Sequence, residues 1–187
     1  MTPLYRQAQE WLLPVLGDAD GLVIDGTCGN GNDTLFLCRA VKDSRLVLGI
    51  DIQEKAVAIT RNKLEAAGFS PKLVVMDHAD LSSLLAESPQ PFVSAAIFNL
   101  GYLPGGDHRI ITKGPSTIKG IASIIDQASK TFRLAVVAYQ GHQGGREETV
   151  KTRSFLAELS RFGFSFSEVE SESGADGPVL FRLRRDL

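Results

Sequence analysis

An α/β fold built on one mostly parallel sheet, with helices on both faces, is predicted by three observations. Apolar runs recur at 21–25, 46–51, 72–77, 92–100 and 133–139, and each is followed by a stretch of helical periodicity. The fourth run, Phe92 to Leu100, is apolar over almost its whole length, as a strand covered on both faces must be. Two last runs, 164–170 and 179–185, are joined by Gly174-Ala-Asp-Gly-Pro178 and read as a β-hairpin. Five strand–helix units and a hairpin make a seven-stranded sheet with one antiparallel strand in the edge region. The 187 residues suit a single domain over 1–187 and are too few for two comfortable ones.

The elements follow in order. Residues 3–16 are predicted as a helix, with Leu4, Ala8, Trp11, Leu12 and Val15 on one side; Pro3 suits a first turn and Pro14 ends or kinks the element. The strand at 21–25 leads into a turn carrying Gly26, Gly29 and Gly31, then a helix starting near Asp33. A polar turn at 42–45 precedes the second strand. Residues 54–67 read as a helix with Ala56, Val57, Thr60, Leu64 and Ala67 inward, stopped by Gly68. Asp77-His78 opens a short helix running to about Ala86. A long glycine- and proline-bearing loop spans 99–116, and ordered loops of that length are usually functional. A helix over 116–130 is expected to bury Ile118, Ile121, Ala122, Ile125 and Ala128. A second glycine-rich loop covers 140–145, and a helix over 146–161 buries Thr152, Phe155, Leu156 and Leu159.

Composition narrows the function classes. Apolar residues make up 43%, enough for a sizeable core. No run approaches the roughly 18 apolar residues of a membrane span, and no charged-then-apolar leader opens the chain, so a soluble, cytoplasmic protein without membrane contact is expected. A net charge of −2 gives no general pull toward nucleic acid, so any RNA contact must come from a local basic face. Cys28 and Cys38 lack a metal-ligand spacing, and no metal site is expected; Cys28 reads as a packed free thiol. The residues carry no signal for or against a homodimer.

The chain is organised around Val23 to Leu35. Strand, tight glycine turn and helix N-terminus form a nucleotide-cofactor site in an open α/β sheet. The turn is Asp-x-x-x-Gly-x-Gly rather than the dinucleotide fingerprint. Its polar residues, Asp25, Asn30, Asn32 and Asp33, suit a ligand with an amino acid end and a positive charge, such as S-adenosylmethionine. Asp51, at the end of the second strand, is placed to accept hydrogen bonds from a ribose diol. Two roles stay open for Gln53, ligand contact or helix cap, and two for Asp77, an adenine contact with His78 beside it or a cap.

Ligands in such sheets sit outside the carboxyl ends of the strands, which gathers Asp25, Asp51, Asp77 and Asn99 at one edge. Asn99-Leu-Gly-Tyr102 resembles in its roles the Asn-Pro-Pro-Tyr motif of amino-methylating enzymes. There the asparagine oxygen accepts from a target amine and the tyrosine stacks on the base. An aliphatic amine must also lose a proton before attack. Asp107 and His108 are the candidates nearest in sequence, with an ordinary loop role as the alternative; His142, in the other glycine loop, is a further one.

Four segments carry a closer resemblance: Asp25 to Thr34, Gly49 to Gln53, Phe98-Asn-Leu-Gly-Tyr-Leu-Pro-Gly-Gly-Asp-His108, and Tyr139 to Gly145. Together they are similar to a bacterial methyltransferase family formerly labelled putative rRNA methylase, whose members are tRNA 5-(aminomethyl)-2-thiouridine methyltransferases. The resemblance implies a Rossmann-like class I methyltransferase fold, S-adenosyl-L-methionine as cofactor, and the wobble base of a tRNA anticodon stem-loop as substrate. It places Asn30, Asp33, Asp51, Gln53 and His78 on the cofactor and Asn99, Tyr102, Asp107 and His108 at the target. Thr27, Gly29, Gly31, Asn32, Thr34 and Ile52 lie within the matched motifs and join the cofactor set, as does Asn99. Asn32 and the Gly174–Gly177 turn depart from the family pattern. Lys113, Lys119, Arg146, Lys151 and Arg153 flank the two loops and are candidates for phosphate contacts. The alternatives are a methyltransferase for ribosomal RNA or a small amine, a non-catalytic RNA-binding module, and a nicotinamide-dependent oxidoreductase.

Overall fold

The computed structural model describes residues 2–103, 105, 111–172, 174 and 177–186. Strands β1 (Leu22–Asp25), β2 (Val47–Asp51), β3 (Lys72–Val75), β4 (Val93–Leu100), β5 (Ala128–Ala138), β6 (Phe164–Glu170) and β7 (Val179–Arg185) form one sheet in the order β3-β2-β1-β4-β5-β7-β6. All neighbours from β3 to β5 are parallel, while β7 runs antiparallel to both β5 and β6. The expected antiparallel strand is thus one in from the edge: the hairpin folds back so that β7, not β6, pairs with β5.

Helices α1 (Leu4–Leu16), α2 (Asn32–Ala40) and α3 (Glu54–Ala66) pack Leu4, Ala8, Leu12, Leu16, Leu37 and Leu64 onto one face, against Val23, Ala95, Ile97, Ala135, Val137 and Leu180. Helices α4 (Leu81–Ala86), α5 (Gly114–Ile125) and α6 (Gly145–Glu158) cover the other face, over Ile24, Ala96, Phe98, Leu134, Val136 and Phe181. The period-2 alternation of strand side chains sorts these two sets, and both faces are apolar because both are covered. No helix among the described residues is long and apolar enough to cross a membrane.

Some boundaries move. Pro14 sits inside α1, which continues to Leu16. Helix α5 ends at Ile125 and β5 begins at Ala128, well before the expected Arg133, because Val93 pairs with Ala128 across an irregularity in the β4–β5 ladder. The core face of α5 is Gly114, Thr117, Gly120, Ile121 and Ile124, so Ile121 is as expected while Ile118, Ala122 and Ile125 are only half-buried. The helix is rotated because Gly120 lies on the backbone of His78, where a Cβ would come within 2.6 Å of the carbonyl oxygen. Apolar periodicity cannot report a contact made by a missing side chain. In α6 the buried set includes Glu148 and Thr149 along with the expected Thr152 and Leu156.

Candidate cofactor and target site

The strand order reverses between β1 and β4, and a cleft of about 910 Å³ opens there at the carboxyl ends of the parallel strands. Thr27, Cys28, Gly29 and Asn30 of the turn after β1 line it, with Asn32 and Asp33 at the start of α2, Asp51, Ile52 and Gln53 after β2, Asp77 and His78 after β3, and Asn99 to Leu103 at the end of β4. Of the strand-end grouping expected from the sequence, Asp51, Asp77 and Asn99 line the cleft, while Asp25 does not.

The turn is held from behind. The Asp25 carboxylate, fully buried, accepts from the Thr34 hydroxyl at 2.6 Å and the Thr27 amide at 3.2 Å. Asp25, Thr34 and Gly31 do not line the cleft; they shape the loop that does. Gly31 takes φ 75°, a left-handed conformation that favours glycine, and Gly26 packs against the Phe98 ring with no room for a Cβ. Burial, then the neighbouring Asp33 charge, push Asp25 up to about 7.

Asp51 receives the Gly29 amide at 3.0 Å and the Gln53 amide at 2.9 Å, so one carboxylate ties the first loop to the second. Burial raises its pKa against those bonds. Ile52 stands beside it, 56% exposed, an apolar side chain presented to the cleft. Asp77 caps the short helix His78–Asp80 by accepting from the Ala79 amide at 2.9 Å, and it lines the cleft as well. His78 is buried, not a surface neighbour: it meets Phe98 edge-on and lies 3.5 Å from the Thr117 hydroxyl, and burial lowers its pKa.

Asn99 is fixed at two points. Its backbone amide donates to the Thr27 hydroxyl at 2.7 Å, and its side-chain amide nitrogen donates to Asp33 at 2.7 Å. Asp33 also accepts from Gln9 of α1 at 2.6 Å, and burial raises its pKa. With the nitrogen committed to Asp33, the Asn99 Oδ1 is the free acceptor of that amide. Tyr102 is 42% exposed and meets the His142 ring edge-on, with centroids 6.2 Å apart. The Gln143 carbonyl, 3.1 Å from His142 Nδ1, accepts from that nitrogen, while the buried Nε2 has no partner among the described residues. Asp107 and His108 lie outside the described residues.

The base of the target loop is clamped. Gly101 donates to the Thr112 hydroxyl at 2.9 Å, and Thr112 and Thr117 both donate to Glu148, at 2.7 and 2.8 Å. Glu148 is only 3% exposed, so its charge is satisfied by those hydroxyls. Sequence reading missed this residue because a lone Glu on a helix gives no sign of being buried. It also missed Tyr5, Arg6 and Gln9, which reach the cleft from α1.

Residues 47–182 match the family described as Putative rRNA methylase. The chain belongs to this family. Over 175 residues it is 35% identical to the chloroplastic tRNA (mnm(5)s(2)U34)-methyltransferase of Arabidopsis thaliana, an alignment covering 88% of this chain; the chain spans 63% of that relative's length. Among solved structures it is similar to a putative rRNA-methylase from Clostridium thermocellum, with TM-score 0.88, 31% identity and coverage of 99% of this chain and 98% of that one. A methyltransferase from Streptococcus mutans in complex with SAH superposes with TM-score 0.85 at 30% identity, over 99% of both chains. The family match and these superpositions make the fold that of the Rossmann-like class I methyltransferases.

The basic residues near the loops are mostly engaged at the surface. Lys119 lies 3.5 Å from Asp80, Lys151 2.6 Å from Glu147 and Arg153 2.7 Å from Glu168. Such exposed pairs contribute about 0–1 kcal/mol and exchange readily for a phosphate. Cys28 is a buried free thiol, as expected, and burial pushes its pKa well up.

Proposed function

We propose that this chain is a single-domain, cytoplasmic S-adenosylmethionine-dependent methyltransferase that methylates the amine of 5-aminomethyl-(2-thio)uridine at the wobble position of tRNA. The observation that carries the reading is Asn99: an amide clamped by Thr27 and Asp33 beside the glycine turn, with its oxygen left to accept from a target amine. The family membership and the named activity of the Arabidopsis relative support the same substrate class.

The residues present fit the cofactor. Bound S-adenosylmethionine supplies a methyl group on a positively charged sulfur. Asp51 would accept from the ribose diol, and Ile52 and Asp77, which line the cleft beside it, would hold the adenine. Asp33 and Asp51, which line the cleft, are carboxylates whose burial disfavours their charge, and a cation beside them would offset that cost; Asp25 stands one layer behind, bonded to the turn. Asn30 and Asn32, which line the cleft at the turn and the start of α2, would receive the amino acid end.

On the target side, Asn99 Oδ1 would accept from the amine and so orient its lone pair, and the exposed Tyr102 ring would stack on the uracil. In-line placement of that kind supplies several kcal/mol of the barrier. The amine attacks as the free base, so its ammonium proton leaves first; Asp107 and His108, which follow Tyr102 in sequence, are the proposed acceptors.

The test is methyl transfer from labelled S-adenosylmethionine to total tRNA, ribosomal RNA and small amines, followed by nucleoside analysis. The reading expects label in tRNA as 5-methylaminomethyl-(2-thio)uridine, provided the tRNA carries the unmethylated aminomethyl group. Label only in ribosomal RNA or in a free amine would overturn it.

A further inference from the structure

A second cavity, of about 330 Å³, opens beside the main cleft between the start of α1 and the β6–β7 connection. Tyr5, Tyr139 and Pro178 line both cavities, so the two are contiguous across those side chains. Tyr5 and Tyr139 are 41% and 40% exposed, so their rings are accessible to a ligand. Both are rigidly mounted. Tyr5 stands next to the buried Leu4 in the first turn of α1, and Tyr139 follows the buried end of β5, its amide bonded to the Leu100 carbonyl at 3.0 Å.

The chemistry of the smaller cavity selects its occupant. Its described lining holds no Lys or Arg and one acid, Glu172, so a phosphate is disfavoured there. Ser171 lines it with a shielded hydroxyl that has no hydrogen-bond partner among the described residues. Two aromatic side chains, two prolines and a polar end group suit a flat, neutral, hydrogen-bonding ring. Arg6, the one Lys or Arg among the described residues lining the main cleft, adjoins Tyr5 in sequence and offers a counter-charge to a phosphodiester nearby.

The geometry points to a nucleobase subsite: the Tyr5–Tyr139 pocket takes the unstacked base that neighbours the methylated nucleotide in the RNA strand. This rests on the proposed RNA substrate. Single-stranded loops are read by splaying bases onto aromatic side chains, and each such stack is worth about 1–3 kcal/mol by alanine substitution. The subsite requires the acceptor nucleotide to arrive within a strand, since a free nucleoside leaves it empty.

The experiment pairs protein and RNA changes. Anticodon stem-loops carrying the acceptor nucleotide are compared with versions in which the base on its 5′ or 3′ side is abasic. Binding is measured with S-adenosylhomocysteine present, and methyl transfer is measured in parallel. Tyr5→Ala is expected to weaken binding of the intact stem-loop about tenfold, the low end for one stacked base, with Tyr5→Phe close to the unaltered chain. On one of the two abasic stem-loops the unaltered chain shows a similar loss, and Tyr5→Ala adds nothing further. Equal losses from Tyr5→Ala on intact and both abasic stem-loops, or no loss on the intact one, would overturn the subsite while leaving the methyltransferase reading standing. Failure of the unaltered chain to methylate any stem-loop or tRNA refutes the proposed substrate itself, and the subsite with it.

Discussion

At the scale of single residues, two buried carboxylates, a half-buried one and an amide shape the site. Asp25 is held at about 7, and Asp33 and Asp51 are raised from the ordinary aspartate value, in each case chiefly by burial. Below their pKa values these groups are neutral; above them they are charged. A sulfonium favours the charged form, so its binding is coupled to proton release and its affinity rises with pH. Titration calorimetry between pH 6 and 8 is expected to show S-adenosylmethionine binding more tightly at the higher pH. S-adenosylhomocysteine, which lacks the sulfonium charge, is expected to give a shallower slope, and parallel slopes would remove these carboxylates from the role. For Asn99, the Ala variant should slow transfer about 10²-fold, as a misplaced reacting group does, while cofactor affinity stays within a few-fold. Equal losses in single-turnover rate and in cofactor binding would make Asn99 a cofactor residue instead.

At the scale of elements, close backbone approaches set where the helices lie. Gly120 brings α5 onto the His78 carbonyl, and this packing buries the imidazole behind the cofactor loop. Gly120→Ala places a methyl group within 2.6 Å of that backbone oxygen, and neither partner is a flexible side-chain end. Denaturant unfolding should show a loss of about 1–3 kcal/mol, the cost of overpacking. Gly17 is the contrast: it follows α1 at φ −63° with nothing near its missing Cβ. Gly17→Ala should be neutral, or stabilise by about 0.4–1 kcal/mol through the unfolded chain. Matching effects at the two glycines would contradict the packing account. Helix α6 contributes through Glu148, which joins Thr112 at the loop base to Thr117 in α5, within 3.5 Å of His78. One buried acid thus couples the target loop to the cofactor wall.

At the scale of the whole molecule, the cofactor cleft draws on both layers of helices and on the central strands, so ligand binding is expected to stabilise the fold as a unit. At a hundredfold excess over Kd, a ligand specific for the folded state adds about 2.7 kcal/mol, which for a chain of this size corresponds to a Tm increase of about 5–10 °C. Differential scanning fluorimetry with S-adenosylmethionine should show that rise. At the same ligand concentration Asp51→Ala should melt normally when unliganded and show little of the shift. An undiminished shift would reject the assignment of Asp51 to the ribose.

The sequence by itself determined the element order, the parallel sheet and the line of polar residues at its strand ends, because these depend on local periodicity and on the rule that such sheets bind ligands at the switch point. It brought Asp51, Asp77, His78 and Asn99 to one cleft without any knowledge of packing. Only the tertiary structure decided which of the motif residues line the cleft and which stand behind it. Asp25 and Thr34 bond to each other beneath the turn, and Tyr5 and Gln9 enter the cleft from a helix remote in sequence. Glu148 proved to be a buried clamp rather than a surface charge. The physical reason is that a residue's type and spacing specify what it can bond, while burial and partnership depend on how helices dock across the sheet, a property of contacts between segments far apart in the chain.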